Sequence, residues 1–274
     1  MRRLADGRPG PRDGSSRAGR LAWPVLCSII LTPGSARTPS SAPGSALPAP
    51  PRTASWNGDP SAPPFGGVWR LAEAPAAPRG SREGWAPWPP PLKGAFATRW
   101  RKAVADAAAG TRTDDPVMNC LPPGMPRFIT GDRGPLLIIQ SHDRVTLYRD
   151  GMGPRRAWLD GRALPAPRDL ESFYSGTTVG RYEGQDLVLD SMGFKDQPID
   201  GTGVPHSDRL KIAERYHRVD EATLRVTVTL TDPLAYARPL TATVIYKAVD
   251  DPLWEPREFL CTPRTGYHPD LFVR

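Results

Sequence analysis

The stretch "RLKIAERYHRVDEATLRVTVTLTDP", residues 209–233, alternates apolar and polar side chains on either side of a short acidic turn. In its first half Leu210, Ile212, Glu214, Tyr216 and Arg218 share one face, and Lys211, Ala213, Arg215 and His217 share the other. In its second half Leu224, Val226, Val228 and Leu230 oppose Arg225, Thr227, Thr229 and Thr231. A period of two, rich in β-branched residues, predicts two antiparallel strands with one face turned to a core. Glu214 falls on that face. A carboxylate there must be paired, hydrogen-bonded or protonated, because an isolated buried charge costs several kcal/mol.

The same period extends upstream and downstream. "PLLIIQS" (135–141) and "RVTLYRD" (144–150) flank a tight polar turn, and "RRAWLDG" (155–161) follows. "TTVGRYEG" (177–184) and "QDLVLDSMGF" (185–194) meet at Gly184-Gln185, a two-residue hairpin signal. "TATVIYKAV" (241–249) and "REFL" (257–260) complete about eight strands. The fold class expected is mainly β: an antiparallel meander forming a lipocalin-like barrel or a sandwich.

The front of the chain is different in kind. Residues 1–113 carry 16 Lys and Arg against 6 Asp and Glu, whereas residues 114–274 carry 20 against 23, so the net charge of +7 belongs to the front. A duplex-binding surface needs clustered cations on the folded unit, and the foldable part is faintly acidic, so no nucleic-acid partner is expected. Six arginines precede the apolar run of residues 21–36, and Gly34 and Ala36 sit where a signal peptidase prefers small residues. The run is short and broken by Pro24, which predicts an export signal over residues 1–36 rather than a stable membrane span. The localisation expected is therefore exported, to the periplasm or the extracellular space.

Residues 37–92 read as a Pro-rich linker, since 15 of the 34 prolines lie between positions 33 and 91. "FGGVWRLAEA" (65–74) is a short strand inside it with no partner in the linker, and "LKGAFATRWRKAVADAAAG" (92–110) is the one N-terminal helix. The expected domains are thus 1–36 signal peptide, 37–92 linker, 93–117 helix and connection, and 118–274 β-barrel domain. Loss of Cys27 with the signal leaves Cys120 and Cys261, a single pair whose natural use in an oxidising compartment is a disulfide.

"GRYEGQDLVLDSMGF" and "VPHSDRLKIAERYHRVDEATLRVTVTLTDPLAYARP" give the chain a further character. With Gly67, Val68 and Trp69, then Cys120, Pro122, Gly124, Pro126 and Arg127, and finally Asp232, Pro233, Tyr236 and Cys261, they form an ordered series over about 195 residues. The series resembles an uncharacterised family of exported bacterial proteins that has a GRWEGDTLVVDT-like hairpin followed by HS and ERY elements. Gly180, Arg181, Glu183, Gly184, Leu187, Val188 and Asp190 match the hairpin, His206 and Ser207 the HS element, and Glu214, Arg215 and Tyr216 the ERY element. Tyr182, Gln185 and Asp186 depart from it. The resemblance implies export and a β-rich fold, and no reaction.

Candidate site residues follow from strand register. A Gly184-Gln185 turn sets Glu183 opposite Asp186, Arg181 opposite Val188 and Val179 opposite Asp190, which makes Arg181 and Asp190 diagonal neighbours. Such a pair either pins register or holds an arginine ready for a ligand carboxylate or carbonyl. Arg181, Asp190, Tyr216 and Glu183 are the ligand-binding candidates. Glu214 is the candidate pocket acid, with Arg181 or Arg127 as its alternative ion-pair partner. His206, in a Gly- and Pro-bounded loop, is the candidate base or an ordinary solvated histidine. His142, His206, His217 and His268 show no metal-ligand spacing, and no nucleotide, dinucleotide or nucleophile-elbow motif occurs, so neither metal nor cofactor is expected. The reading that follows is an exported barrel that takes a small, mostly apolar molecule in an internal pocket. A cofactor-independent lyase, isomerase or hydrolase using the same pocket is the alternative, and a structural envelope protein the third. The sequence does not decide whether the protein is an enzyme.

Overall fold

The computed structural model describes residues 61–73, 84–131, 134–251 and 253–257. The expected signal peptide, most of the linker and Cys261 lie outside these residues. The nine strands are β1 (Gly67–Glu73), β2 (Leu136–Ser141), β3 (Arg144–Arg149), β4 (Gly153–Trp158), β5 (Thr177–Glu183), β6 (Asp186–Met192), β7 (Lys211–Asp220), β8 (Thr223–Thr231) and β9 (Leu240–Ala248). They close into one barrel in sequence order, β9 pairing back onto β1. The sequence left barrel and sandwich open, and the structure is a barrel.

Two features depart from the expected meander. The strand read as unpartnered within the linker is β1, and it pairs with both β2 and β9, so the barrel begins well before residue 118. The ladder is also not wholly antiparallel. Nine strands cannot alternate direction around a closed ring, because an odd number leaves one like-directed pair; that pair is β4 and β5, with Ala157 opposite Thr178. Of the expected strand at 257–260, Arg257 lies outside any strand and the rest lies beyond the described residues.

Strand directions sort the connections into two ends. The turns β2–β3, β5–β6 and β7–β8 gather at one end, and the connections β1–β2, β3–β4, β6–β7 and β8–β9 at the other. The second end carries helix α1 (Gly94–Ala108), which is Ala-rich and stops where Gly110, at φ 70°, donates to the Ala107 carbonyl. It also carries the one-turn helix α2 (Arg127–Thr130).

Inward positions alternate as the period of two requires. Val226, Val228 and Leu230 face in, while Thr227 and Thr229 sit opposite Thr243 and Thr241 on the outer face. Phe65 joins the core at the turn end, where Gln140 Oε1 accepts from the backbone N–H of Phe65 and Gly66 at 2.6 and 2.8 Å. Met125, Phe128 and Ile129 join it from the helix end, where Tyr246 donates to the Ile129 carbonyl. The interior expected to hold a pocket is thus occupied by side chains, as in other small barrels.

Candidate functional site

Glu214 is 1 % exposed and lies at mid-strand, opposite Leu189 on one side and Val228 on the other. Its partner is Arg155 of β4, not Arg181 or Arg127. Arg155 Nη2 donates to Glu214 Oε1 at 2.6 Å and Nη1 to Oε2 at 2.9 Å, a bidentate pair. Tyr216 adds its hydroxyl to Oε2 at 2.7 Å. The rest of the guanidinium is satisfied too, Nε by Thr178 Oγ1 at 3.2 Å and Nη2 by Ser191 Oγ at 2.8 Å. Burial, and after it the Glu214 carboxylate, pushes the Tyr216 phenol well above the ordinary tyrosine range, so it remains a donor. Burial works against the charge on Arg155, and Glu214 more than offsets it. The arrangement is an internal ion pair with its hydrogen bonds filled.

Arg181, Glu183 and Asp190 are on the outer face of β5 and β6. The hairpin register is Glu183 opposite Asp186, Arg181 opposite Val188 and Val179 opposite Asp190, and Arg181 Nη1 lies 2.6 Å from Asp190 Oδ2. Arg181 also binds Glu183 at 2.7 Å, and Arg215 links Glu183 to Asp186, whose other oxygen lies 2.6 Å from His217. Hydrogen bonds from Arg215 and then Arg181 hold the Glu183 carboxyl below its usual range. These groups form a solvated ladder that ties β5, β6 and β7 together. Arg127, the other candidate partner of Glu214, binds Asp115 at 2.8 Å.

His206 is 3 % exposed rather than solvated. Nδ1 donates to the Ser207 carbonyl at 2.7 Å, which leaves Nε2 as a buried acceptor with no partner among the described residues. Burial first, and the nearby Arg99 charge last, lower its pKa, against the Ser207 carbonyl and the Asp196 and Asp232 charges. It packs edge-on to Phe194 in the β6–β7 connection and shares no hydrogen-bond partner with Glu214.

A different place in the fold has the shape of a site. At the helix end, Trp88, Trp100, Arg101, Val104, Ala107, Gly201 and Thr202 line an open cleft of about 490 Å³. Its wall is α1 and its floor a turn of the β6–β7 connection. Asp200, fully buried, builds that turn by accepting from the backbone N–H of Thr202, Gly203 and Val204 at 2.9, 3.0 and 3.1 Å. Burial pushes its carboxyl up, opposed by these same donors. Wall and floor are in close contact: a Cβ on Gly203, at φ 93°, would come within 2.7 Å of Ala103 Cβ. Trp100 Nε1 donates to Thr202 Oγ1 at 3.3 Å, Arg112 Nη1 to the Gly201 carbonyl at 2.6 Å, and Trp88 meets Trp100 edge-on at 5.6 Å between ring centroids. The floor and the aromatic wall are therefore held before any ligand arrives.

A second cleft, about 630 Å³, lies against the outer face of β5 to β8 beneath the 159–176 crossover. Asp190 lines it together with Lys211, Val179 and Pro165, and no aromatic residue does. Among the described residues no group of three or more His, Cys, Asp or Glu is placed to hold a metal ion, and no helix is long and apolar enough to cross a membrane.

No family model, curated protein or solved structure matches this chain. Sequence reading missed Arg155, Asp200, Trp88 and Trp100. Asp200 had a local signal, since "DGTG" is the composition of an Asx turn.

Proposed function

We propose that the protein is a binding barrel that takes a small, mostly apolar molecule in the cleft between α1 and the Asp200 turn rather than inside the barrel. The observation that carries this reading is the cleft itself: concave, of ligand size, walled by two tryptophans, with few polar groups. The barrel supplies a rigid platform, and two of its connections, β1–β2 and β6–β7, supply the site, a common division between scaffold and binding loops.

The test is titration with N-phenyl-1-naphthylamine, a neutral apolar fluorophore, read by its emission. Wild type should bind it saturably. Val104→Arg, at a lining position 44 % exposed and hence tolerant of a larger side chain, should weaken binding at least about tenfold by filling the cleft. Absence of binding to wild type, or unchanged binding to the variant, would overturn the proposal.

Export directed by residues 1–36 and a disulfide between Cys120 and Cys261 belong to the same reading. They are supported by the apolar run with its small-residue exit, by the single cysteine pair left after cleavage, and by the resemblance of the motif series to that of an exported family.

A further inference from the structure

The cleft has a polarity that its apolar walls do not account for. Among the described residues Arg101 is the one charged residue lining it, and no carboxylate does. The Arg101 guanidinium donates to the Thr98 hydroxyl at 3.1 Å, a neutral partner, and among the described residues no acid answers its charge. Behind the floor lies a second guanidinium. The Arg112 side chain is 9 % exposed; its Nε binds Asp114 at 2.5 Å and its Nη1 the carbonyl of Gly201, a lining residue. Its Nη2 is buried with no hydrogen-bond partner among the described residues and stands 3.1 Å from where a Cβ on Gly203 would be. The neighbourhood's acids are already engaged, Asp114 with Arg112 and Asp200 with the backbone of its own turn. Of the two guanidiniums only Arg101, on the cleft side, is without a carboxylate partner among the described residues.

Resting on the cleft as the ligand site, we propose that its occupant is an amphiphilic monocarboxylate, with a flat or aliphatic body against Trp88 and Trp100 and its carboxylate on Arg101. The edge-to-face tryptophans, at an interplanar angle of 83°, offer one ring face and one ring edge, which suits a planar apolar body. Arginine at the rim offers the planar fork that matches a carboxylate. Arg112, behind Gly201, is neutralised by Asp114 and holds the floor through the Gly201 carbonyl, so the carboxylate's counter-charge is Arg101.

The experiment compares 2-naphthoate with 2-naphthamide, close in shape and different in charge, by calorimetric titration of the full chain. Wild type should bind the carboxylate about tenfold more tightly than the amide, the difference expected for a charge-assisted hydrogen bond. Arg101→Gln should reduce that preference to about twofold or less, chiefly by weakening carboxylate binding; Arg101 is exposed and makes one hydrogen bond, so the variant folds. Added salt should shrink the wild-type preference, since the arginine is at the rim. Equal affinity for the two compounds would overturn the carboxylate proposal and leave the cleft standing. A preference that survives Arg101→Gln, or a variant that loses both compounds alike, would also overturn it. Failure of wild type to bind either compound would instead refute the cleft as a site.

Discussion

Replacing Glu214 by Gln keeps the shape of the side chain and removes the charge that answers Arg155. Both side chains are sealed, at 0 and 1 % exposure, so water cannot take over. The glutamine oxygen can accept from one guanidinium nitrogen, but its NH2 group then faces the other: Nη1 at 2.9 Å, beside the Tyr216 hydroxyl at 2.7 Å, if it takes the place of Oε2, or Nη2 at 2.6 Å if it takes the place of Oε1. One charge-assisted bond becomes a donor facing a donor, and a buried guanidinium loses its counter-charge. Breaking one side of such a pair costs about 3–5 kcal/mol. Set against a total stability of about 5–15 kcal/mol, the variant should lose about a fifth of it or more and unfold on the order of 10 °C lower. Exchanging both partners for apolar residues, Glu214→Leu with Arg155→Met, removes the desolvation of both charges together and should land within about 2 kcal/mol of wild type. Urea unfolding followed by tryptophan emission and far-UV circular dichroism, with coincident transitions, gives all three stabilities. If Glu214→Gln lies within about 1 kcal/mol of wild type, the pair does not hold the interior as argued.

Three further outcomes are expected. Asp200→Ala leaves three backbone N–H groups without an acceptor beside the cleft floor, so it should cost about 2–3 kcal/mol and abolish N-phenyl-1-naphthylamine binding, whereas Asp208→Ala should do neither. His206, with its pKa lowered by burial, stays neutral in the fold where the unfolded chain takes up a proton. Stability should therefore fall as pH drops below about 6.5 toward the depressed native value, by up to about 1.4 kcal/mol per pH unit more steeply than in His206→Asn; parallel pH profiles for the two proteins would contradict this. Mature protein, unfolded without reductant, should show no titratable thiol at Cys120 or Cys261; two free thiols would refute the proposed disulfide.

Local register was legible because it depends on neighbours in sequence. Gly184-Gln185 fixed the β5–β6 pairing, and alternation along residues 209–231 placed Glu214 inside. The partner of Glu214 was not legible. In "RRAW" either arginine of β4 can face inward, and what selects Arg155 is the pairing of Leu147 with it across β3, together with Ala157 two residues on. The role of β1 was hidden for a related reason. Its partners are β2, beyond the whole helical connection, and β9 near the other end of the chain, and no local period reports such pairings. The cleft was least legible of all, because Trp88, Trp100 and Thr202 come from segments without a shared period and meet only once the barrel has closed. His206 looked like a solvated loop residue since its covering partner, Phe194, lies at the far end of the same connection.

Where the ligand sits is read from the side-chain indole N–H signals of the protein's eight tryptophans in a ¹H–¹⁵N correlation spectrum, assigned by single Trp→Phe substitutions, during titration with N-phenyl-1-naphthylamine. Trp88 and Trp100 line the cleft, while Trp69 and Trp85 are buried in the core. Binding in the cleft should give saturable shifts of the Trp88 and Trp100 signals with those of Trp69 and Trp85 unmoved. Shifts centred on Trp69 or Trp85, or no shift at Trp88 and Trp100 while the fluorophore is bound, would contradict it.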